Sequence, residues 1–519
     1  MDRARLLRHF DTLADTPDAV AKLRELVLSL AVQGRLVPPS PKTEAKPIKR
    51  DTQTESSETA SEDLVAPYAV PSSWNWIRLG WLAPTFQNGV SSRGDANGVP
   101  VVVLRLADIY QRRISLQHTR SIPINPRISP KYALHRGDIL VVRVNGSAEI
   151  VGNFIPVETD TDAIYCDHFI RMRIEPDRII PEFITLLGRA SVVRQQIQDL
   201  FITTAGQKTV NQGHISSLIV PLPPLAEQKR IVARVEELLA LCDELEARQT
   251  AAREQRTRLV QSAFDHLTAA ATPADFRRHA AFALQEFPHL TATPDSIPAL
   301  RQAILSLAVQ GHLVHTNGEQ LALQNAKLAE VCLLITDGEH ATPPRTATGV
   351  PLSTAKNVRD GYLDLATTDW VSLETAQKCW KRCKPQHEDI LMVCVGATTG
   401  RICRVQNPPD MVLVRSVALI RPDPTKVAPC FLELFLRSPA GQSQVWGGVK
   451  QSAQPCLYLG KMGAFDVALP PLAEQQRIVA KVAELMKWCD ELEARLAAAQ
   501  SAAAALLDSS LHALLAPAD

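Results

Sequence analysis

Two stretches of the chain carry the same apolar stripe. In residues 222–249, LPPLAEQKRIVARVEELLALCDELEARQ, apolar positions fall at Ile231, Val235, Leu238, Cys242 and Leu245. In residues 469–496, LPPLAEQQRIVAKVAELMKWCDELEARL, they fall at Ile478, Val482, Leu485, Cys489 and Leu492. A 4-3-4-3 spacing is a heptad seam, so each stretch predicts a long helix that wants a coiled-coil partner. Within one chain, the obvious partner for each is the other. The proline pair before each pattern suits a helix start, where a missing N–H costs nothing. The segments match at 21 of 28 ungapped positions. The chain is therefore an internal duplication.

A shorter apolar pattern repeats upstream. Residues 23–37, LRELVLSLAVQGRLV, match residues 300–314, LRQAILSLAVQGHLV, at 11 of 15 positions. Each predicts a helix of roughly four turns, stopped by Gly34 or Gly311. Thr16-Pro17-Asp18 and Thr293-Pro294-Asp295 read as an N-cap, a first-turn proline and an acidic first turn. Between each short helix and each long one the periodicity changes. Short β-type runs, among them VPVVVLRL, DILVVRV, FIRMRI, DILMVCV and VALIRP, are separated by Gly, Pro and Asn turns. Helical patterns lie around EFITLLGRASVVRQQIQ and FLELFLRS. The fold class expected is α+β: two mixed α/β domains separated by long antiparallel coiled-coil helices, with an internal pseudo-two-fold repeat.

The expected boundaries follow. Residues 1–37 form an N-terminal helical region and 38–73 a flexible linker, rich in Pro, Ser, Thr, Glu and Lys. Residues 74–224 form the first variable domain and 225–268 the first spacer helix. Residues 269–324 hold the central copy of the helical region, 325–470 the second variable domain, and 471–519 the second spacer helix and tail. Landmarks shared by the two domains are few: Gln87-Asn88-Gly89 with Thr336-Asp337-Gly338, Asp138-Ile139-Leu140 with Asp389-Ile390-Leu391, and Pro181 and Phe183 with Pro429 and Phe431. A duplicated enzyme would keep its catalytic loops while its scaffold drifted. Here the scaffold is kept.

Composition narrows the picture. The chain has 519 residues, 45% hydrophobic and 21% charged, with a net charge of +1. That is ordinary for a multidomain cytoplasmic protein, and no apolar run is long enough to span a bilayer. Near-neutrality argues against coating nucleic acid by bulk charge. Each variable domain is nevertheless mildly basic: 16 Lys and Arg against 12 Asp and Glu in residues 74–224, and 16 against 13 in 325–470. Ten scattered cysteines suit a reducing compartment. Cys379, Cys383, His387 and Cys394 lack the spacing of a zinc site, so no metal ligand is assigned.

Enzyme motifs are missing from the sequence: there is no GxGxxG after a strand, no Walker A loop, no HExxH and no GxSxG. Residues 205–209, AGQKT, echo a phosphate loop without its first glycine and read as a loop. Asn407-Pro408-Pro409-Asp410 resembles the tetrad of adenine-N6 methyltransferases, but Asp410 replaces the aromatic on which a flipped base would stack. A plain turn is the reading adopted, with no catalytic or cofactor-binding residue assigned. What remain are polar loops able to reach base edges and phosphates. The DNA-contact candidates are Arg143, Asn145, Thr204, Gln207 and Lys208 in the first domain, and Thr399, Arg401, Arg415, Lys450 and Gln454 in the second.

With the repeat in view, the chain resembles the DNA-specificity subunits of type I restriction-modification systems. PLPPLAEQKRIVARVEELL and ALPPLAEQQRIVAKVAELM close the two divergent domains, and SLAVQGRLVP and SLAVQGHLV precede them. The resemblance covers nearly the whole chain. It implies two target-recognition domains, each reading half of a bipartite double-stranded DNA sequence, with the helices fixing the gap. It implies partners as well: two adenine methyltransferase (modification) subunits and ATP-driven restriction subunits. S-adenosylmethionine, ATP and Mg would be held by those partners rather than by this chain. Two other classes stay open on the residues alone, an enzyme with an unrecognised active site and a coiled-coil scaffold whose domains bind proteins.

Overall fold

Long uninterrupted runs of helix formers after each proline pair give two helices of 44 residues, Leu225–Thr268 and Leu472–Leu515. At ~1.5 Å per residue each is about 65 Å long. The computed structural model describes residues 10–38, 64–91, 98–127, 129–314, 321–450 and 454–516. The chain divides into two compact units, residues 1–251 with 502–519 and residues 252–501. Each unit therefore contains the head of one long helix and the tail of the other. No helix among the described residues is long and apolar enough to cross a membrane.

In unit 1 the short helix Ala19–Val32 touches both pieces. Its Arg24 forks to Asp243 and Glu246 at 2.6 and 2.7 Å, and its Lys22 pairs with Asp508 at 2.6 Å. Leu13 and Ala19 bury against Leu507 and Leu511. Unit 2 repeats the plan around the helix Ile297–Val309, with Arg301 forking to Asp490 and Glu493 at 2.7 and 2.9 Å. Ala303 and Leu290 bury there with Val260, Ala263, Phe264 and Leu267. The fork accounts for the CDELEAR repeat, because an i, i+3 Asp/Glu pair on one face grips one guanidinium.

The heptad stripe closes differently from the expectation. Ile231 and Val235 join the core of the first domain and Ile478, Val482 and Cys489 that of the second, with Leu485 and Leu492 packed against the latter. Cys242 is buried, while Leu238 and Leu245 are half-buried. A heptad defines an apolar face without naming its partner. Here much of that face packs on the helix's own domain and short helix.

The LPPLAEQ start is explained by a buried glutamine. Gln228 Oε1 accepts from the Ile180 N–H at 2.9 Å, and its Nε2 donates to the Arg178 and Pro223 carbonyls at 2.8 Å. Gln475 accepts from the Ala428 N–H at 2.7 Å and donates to the Pro470 carbonyl at 2.8 Å. Each side chain bolts a helix start to its domain by satisfying backbone groups that would otherwise be buried unpaired.

Gly34 and Gly311, at φ 71° and 78°, do stop the short helices. In each case the next N–H bonds back five residues, Arg35 to Leu30 and His312 to Leu307, as a left-handed glycine cap requires. The expected threonine caps do not form. Thr16 Oγ1 donates to the Leu13 carbonyl, closing the preceding turn, and the helix begins at Ala19 after Asp18 at φ 61°. In the second copy residues Pro294–Ser296 form a 3-10 turn ahead of Ile297. Most of the expected linker, residues 39–63, lies outside the described residues. Its end is packed, with Tyr68 Oη on the Val32 carbonyl at 3.2 Å and the Trp76 indole on the Tyr68 carbonyl at 3.1 Å.

The two domains share one topology. In the first, a sheet has the strand order Thr85–Asn88, Phe169–Arg173, Ile139–Val142, Phe154–Pro156. In the second, the order is Cys332–Asp337, Val417–Pro422, Ile390–Val393, Ile402–Arg404. A three-stranded sheet around Val99–Leu104 has its counterpart around Val350–Ser353. The ends of each domain close on each other, Asn75–Arg78 with Ile219–Leu222 and Gln324–Lys327 with Asp466–Leu469. Asp138 and Asp389, both buried, clamp Arg173 at 2.5 and 2.7 Å and Arg421 at 2.8 and 2.8 Å. Pro181 and Pro429 each start a helix whose Phe183 or Phe431 is buried.

Candidate nucleic-acid interface

In the first domain all five expected residues meet. The hairpin Ile202–Thr204 and Gln207–Thr209 turns at Ala205 and Gly206, both at positive φ (49° and 79°), and pairs through its second strand with Val144–Asn145. AGQKT is thus a hairpin tip and strand rather than a loop. The register places Thr204 opposite Gln207 and Lys208 opposite Asn145. Thr204 and Gln207 are exposed at the tip. Asn145 and Lys208 also shape the surface: Asn145 Oδ1 accepts from the Ser147 N–H at 2.9 Å, and Lys208 Nζ donates to the Gly146 carbonyl at 3.1 Å. Arg143 Nη1 donates to the Asp167 carbonyl at 3.4 Å.

The second domain uses the same place with other residues. The Gly396 N–H bonds to the Pro455 carbonyl, and Lys450 bridges Cys456, setting Lys450, Pro455 and Cys456 beside the loop that carries Thr399 and Arg401. Lys450, Gln454 and Arg415 are exposed and Arg401 is half-buried. Thr399 departs from the expectation. It is 5% exposed and its hydroxyl donates to the Gly396 carbonyl at 2.7 Å, so it holds the loop's shape instead of presenting a reader.

Backbone pairing fixes which positions correspond. The Arg143 N–H bonds to the His168 carbonyl as the Cys394 N–H bonds to Ser416, and the Asp167 N–H bonds to Val90 as the Arg415 N–H bonds to Glu339. Arginine therefore faces a buried cysteine across the repeat, and aspartate faces arginine. Gly89 and Gly338 lie so close to Cys166 and Leu413 that a Cβ would sit 2.0 and 2.2 Å from backbone atoms. Both glycines are needed where the edge strand crosses to this face.

Several polar groups here were not singled out from sequence. Asn88 Oδ1 accepts from Gln212 Nε2 at 3.1 Å. At the matching strand end Asp337 binds the Arg382 guanidinium, which holds His340 Nε2 at 2.9 Å. The Asp337 hydrogen bond raises the Arg382 pKa. The Asn88 and Asp337 landmarks were legible, but their partners lie 124 and 45 residues away. The ligand atoms of Cys166, Asp167 and His168 lie within 4.8 Å of one another. Cys379, Cys383, His387 and Cys394 form no such group among the described residues. Burial pushes the Cys383 and Cys394 thiols up to about 12, as for apolar filler. Asn407, at φ 46°, donates its N–H to His387 Nδ1 at 3.0 Å, and Asp410 pairs with Lys384 at 3.0 Å, so that tetrad is a turn between strands.

The architecture is two α/β domains of one topology, each followed by a 44-residue helix, and known proteins share stretches of it. The type I restriction modification DNA specificity domain family matches residues 129–254. The StySPI specificity subunit of Salmonella potsdam is 33% identical over 251 residues, 48% of this chain and 49% of that protein. The EcoKI specificity subunit of Escherichia coli is 32% identical over 34% of this chain and 38% of its own length. The EcoBI subunit is 23% identical over 84% of both. The chain thus spans about half the length of the Salmonella relative. A structure described as the basis of complex assembly and conformational transition of the type I R-M system matches 86% of this chain and 99% of its own, with a TM-score of 0.50 and 19% identity, and shares the fold. The chain is thus similar to specificity subunits of type I restriction-modification systems over these stretches.

Proposed function

We propose that this chain is the non-catalytic DNA-reading subunit of a type I restriction-modification complex. Each domain reads one half of a bipartite target, and the long helices set the gap and dock two adenine methyltransferase subunits. Recruitment of restriction subunits then directs ATP-dependent cleavage of unmodified sites. S-adenosylmethionine, ATP and Mg belong to those partners. The observation that carries this reading is the pair of polar surfaces built at the same place on one frame from different residues, Arg143, Asn145, Gln207 and Lys208 against Arg401, Arg415, Lys450 and Gln454. One frame gives two readers the same approach to a groove, and different side chains give them different bases. A helix of about 65 Å exceeds the ~34 Å of one DNA turn, long enough to hold two readers at a fixed separation.

The test is a map of methylated adenines in a methylation-free host expressing this chain with its modification subunit. A two-part motif with one fixed gap, absent when this chain is omitted, is the expected result. A soluble complex that leaves the genome unmethylated would favour a protein-binding scaffold instead.

A further inference from the structure

The first domain contains half-buried positive charge that no ion pair among the described residues balances. Its hairpin Ile109–Tyr110 and Arg113–Ile114 turns through Gln111 and Arg112 at φ 47° and 61°, a left-handed tip usually given to Asn or Gly. Arg112 Nη1 is buried without a hydrogen-bond partner. The charges that act on Arg112 are those of Arg189, Arg194 and Glu149, and burial with the two arginines pulls its pKa down to about 10. Arg194 is committed, donating to the Val151, Ala148 and Glu149 carbonyls at 3.0, 3.0 and 3.4 Å. Arg189, half-buried, belongs to no ion pair among the described residues. Glu149 is exposed and pairs with none of the three within ion-pair distance.

The second domain resolves the same place without excess charge. Its hairpin tip carries Gly361 at φ 88°, and a Cβ there would lie 3.0 Å from Arg437 Nη1. Arg437, the counterpart of Arg189, has Glu433 on the preceding helical turn at 3.7 Å. Gln442 replaces Arg194 and donates to the Gly400 and Leu436 carbonyls at 3.0 and 2.9 Å. Where Glu433 stands, the first domain has Thr185, whose hydroxyl is spent on the Pro181 carbonyl. The second domain thus supplies its own anion: Glu433 serves Arg437 and also Arg404, which has Glu388 as a second partner and stands where the first domain has Pro156. The first has Arg112 and Arg194 at the positions of Gly361 and Gln442 and no carboxylate at the position of Glu433.

A half-buried guanidinium with a buried, unpartnered Nη1 is unfavourable, and a second arginine in the neighbourhood makes it more so. The missing component is an anion. We propose that Arg112 and Arg189 form an oxyanion-binding site on the first domain, taking a phosphate-class group, with Arg194 holding residues 148–151 as its wall. Guanidinium forks match tetrahedral oxyanions in geometry as well as charge. The group can be a free oxyanion or a phosphodiester of bound DNA. The second source rests on the proposed function, and the first does not.

Thermal unfolding of the purified full chain in inorganic phosphate, against chloride at matched ionic strength, tests the site without DNA. Wild type is expected to unfold at higher temperature in phosphate. Arg112→Gln and Arg189→Gln are each expected to lose that increment while unfolding in chloride no earlier than wild type, since each removes a repelling charge. The salt dependence of target binding by the assembled complex separates the sources. A phosphodiester in the site makes the slope of log K against log salt shallower by about 0.9 in Arg112→Gln. An unchanged slope with an intact phosphate increment assigns a free oxyanion. A phosphate increment equal in wild type and both variants, or no increment together with an unchanged slope, overturns the site. Failure of sequence-specific methylation would sink the DNA reading and leave the phosphate result standing.

Discussion

The two α/β domains agree in their clamps and helix bolts and diverge in the polar residues near the candidate interface. Asp138 with Arg173 and Asp389 with Arg421 are the same clamp, and Gln228 and Gln475 are the same bolt. A few residues away, Arg143 corresponds to Cys394 and Asp167 to Arg415. Packing and hydrogen-bond satisfaction fix the first kind of position, because a buried group without its partner destabilises the domain. The second kind is free to differ: Arg415 and Asp167 face outward, and Cys394 fills core where Arg143 stays half-buried. Two copies of one unit can therefore hold their frame while the residues around it change separately.

The comparison breaks most severely at the clamps. Asp138→Ala and Asp389→Ala each strand an arginine, and losing one partner of a buried pair costs about 3–5 kcal/mol. Arg173 and Arg421 remain 36% and 23% exposed, so the lower end of that range is expected, nearly equal in the two domains. Urea unfolding of the two variants measures it, and a large loss in only one domain would mean the frames are not equivalent. The bolts come next. Gln228→Leu strands the Ile180 N–H and the Arg178 and Pro223 carbonyls, at about 1–3 kcal/mol for each group left buried and unpaired. Gln475→Leu strands two groups, the Ala428 N–H and the Pro470 carbonyl, and is expected to be milder by the same assay.

The smallest effect sharpens the comparison by pH. His312 stacks on Phe276 with ring centroids 4.2 Å apart, and burial holds its pKa below the ordinary 6.5. The unfolded chain takes up that proton at about 6.5 while the folded unit resists it. Unit 2 thus keeps this stability above about pH 6.5 and loses it as pH falls towards the depressed folded value. Arg35 holds the matching position in unit 1 and donates to the Leu515 carbonyl, with nothing to titrate there. Thermal scans from pH 7.5 to pH 5.5 are expected to separate wild type from His312→Phe progressively towards acid. Parallel scans of the two proteins would rule out the assignment.

Much of this plan was legible in the sequence, for identifiable reasons. The long helices, the glycine stops and the Asp-Ile-Leu landmarks repeat because identical packing demands identical residues. The partner of the heptad stripe was not legible, because Ile231 and Ile478 declare only that one face is apolar. The threonine caps failed because Thr16 bonds backward to Leu13 where forward capping was equally plausible locally. In the first domain the five expected contacts converged because strand pairing joined two polar runs some 60 residues apart, Lys208 to Gly146 among them. Thr399 went astray because a hydroxyl in a polar loop can face solvent or close its own turn, and only the fold decides.

The most direct test of the central claim is a methylated-adenine map for a domain-1 variant beside wild type. Arg143, Asn145, Thr204, Gln207 and Lys208 are all changed to alanine, and the chain is expressed with its modification subunit. If each domain reads its own half-site, one half of the motif degenerates or methylation falls while the other half and the gap are unaltered. A motif unchanged in both halves, or a changed gap with both halves intact, would contradict the account.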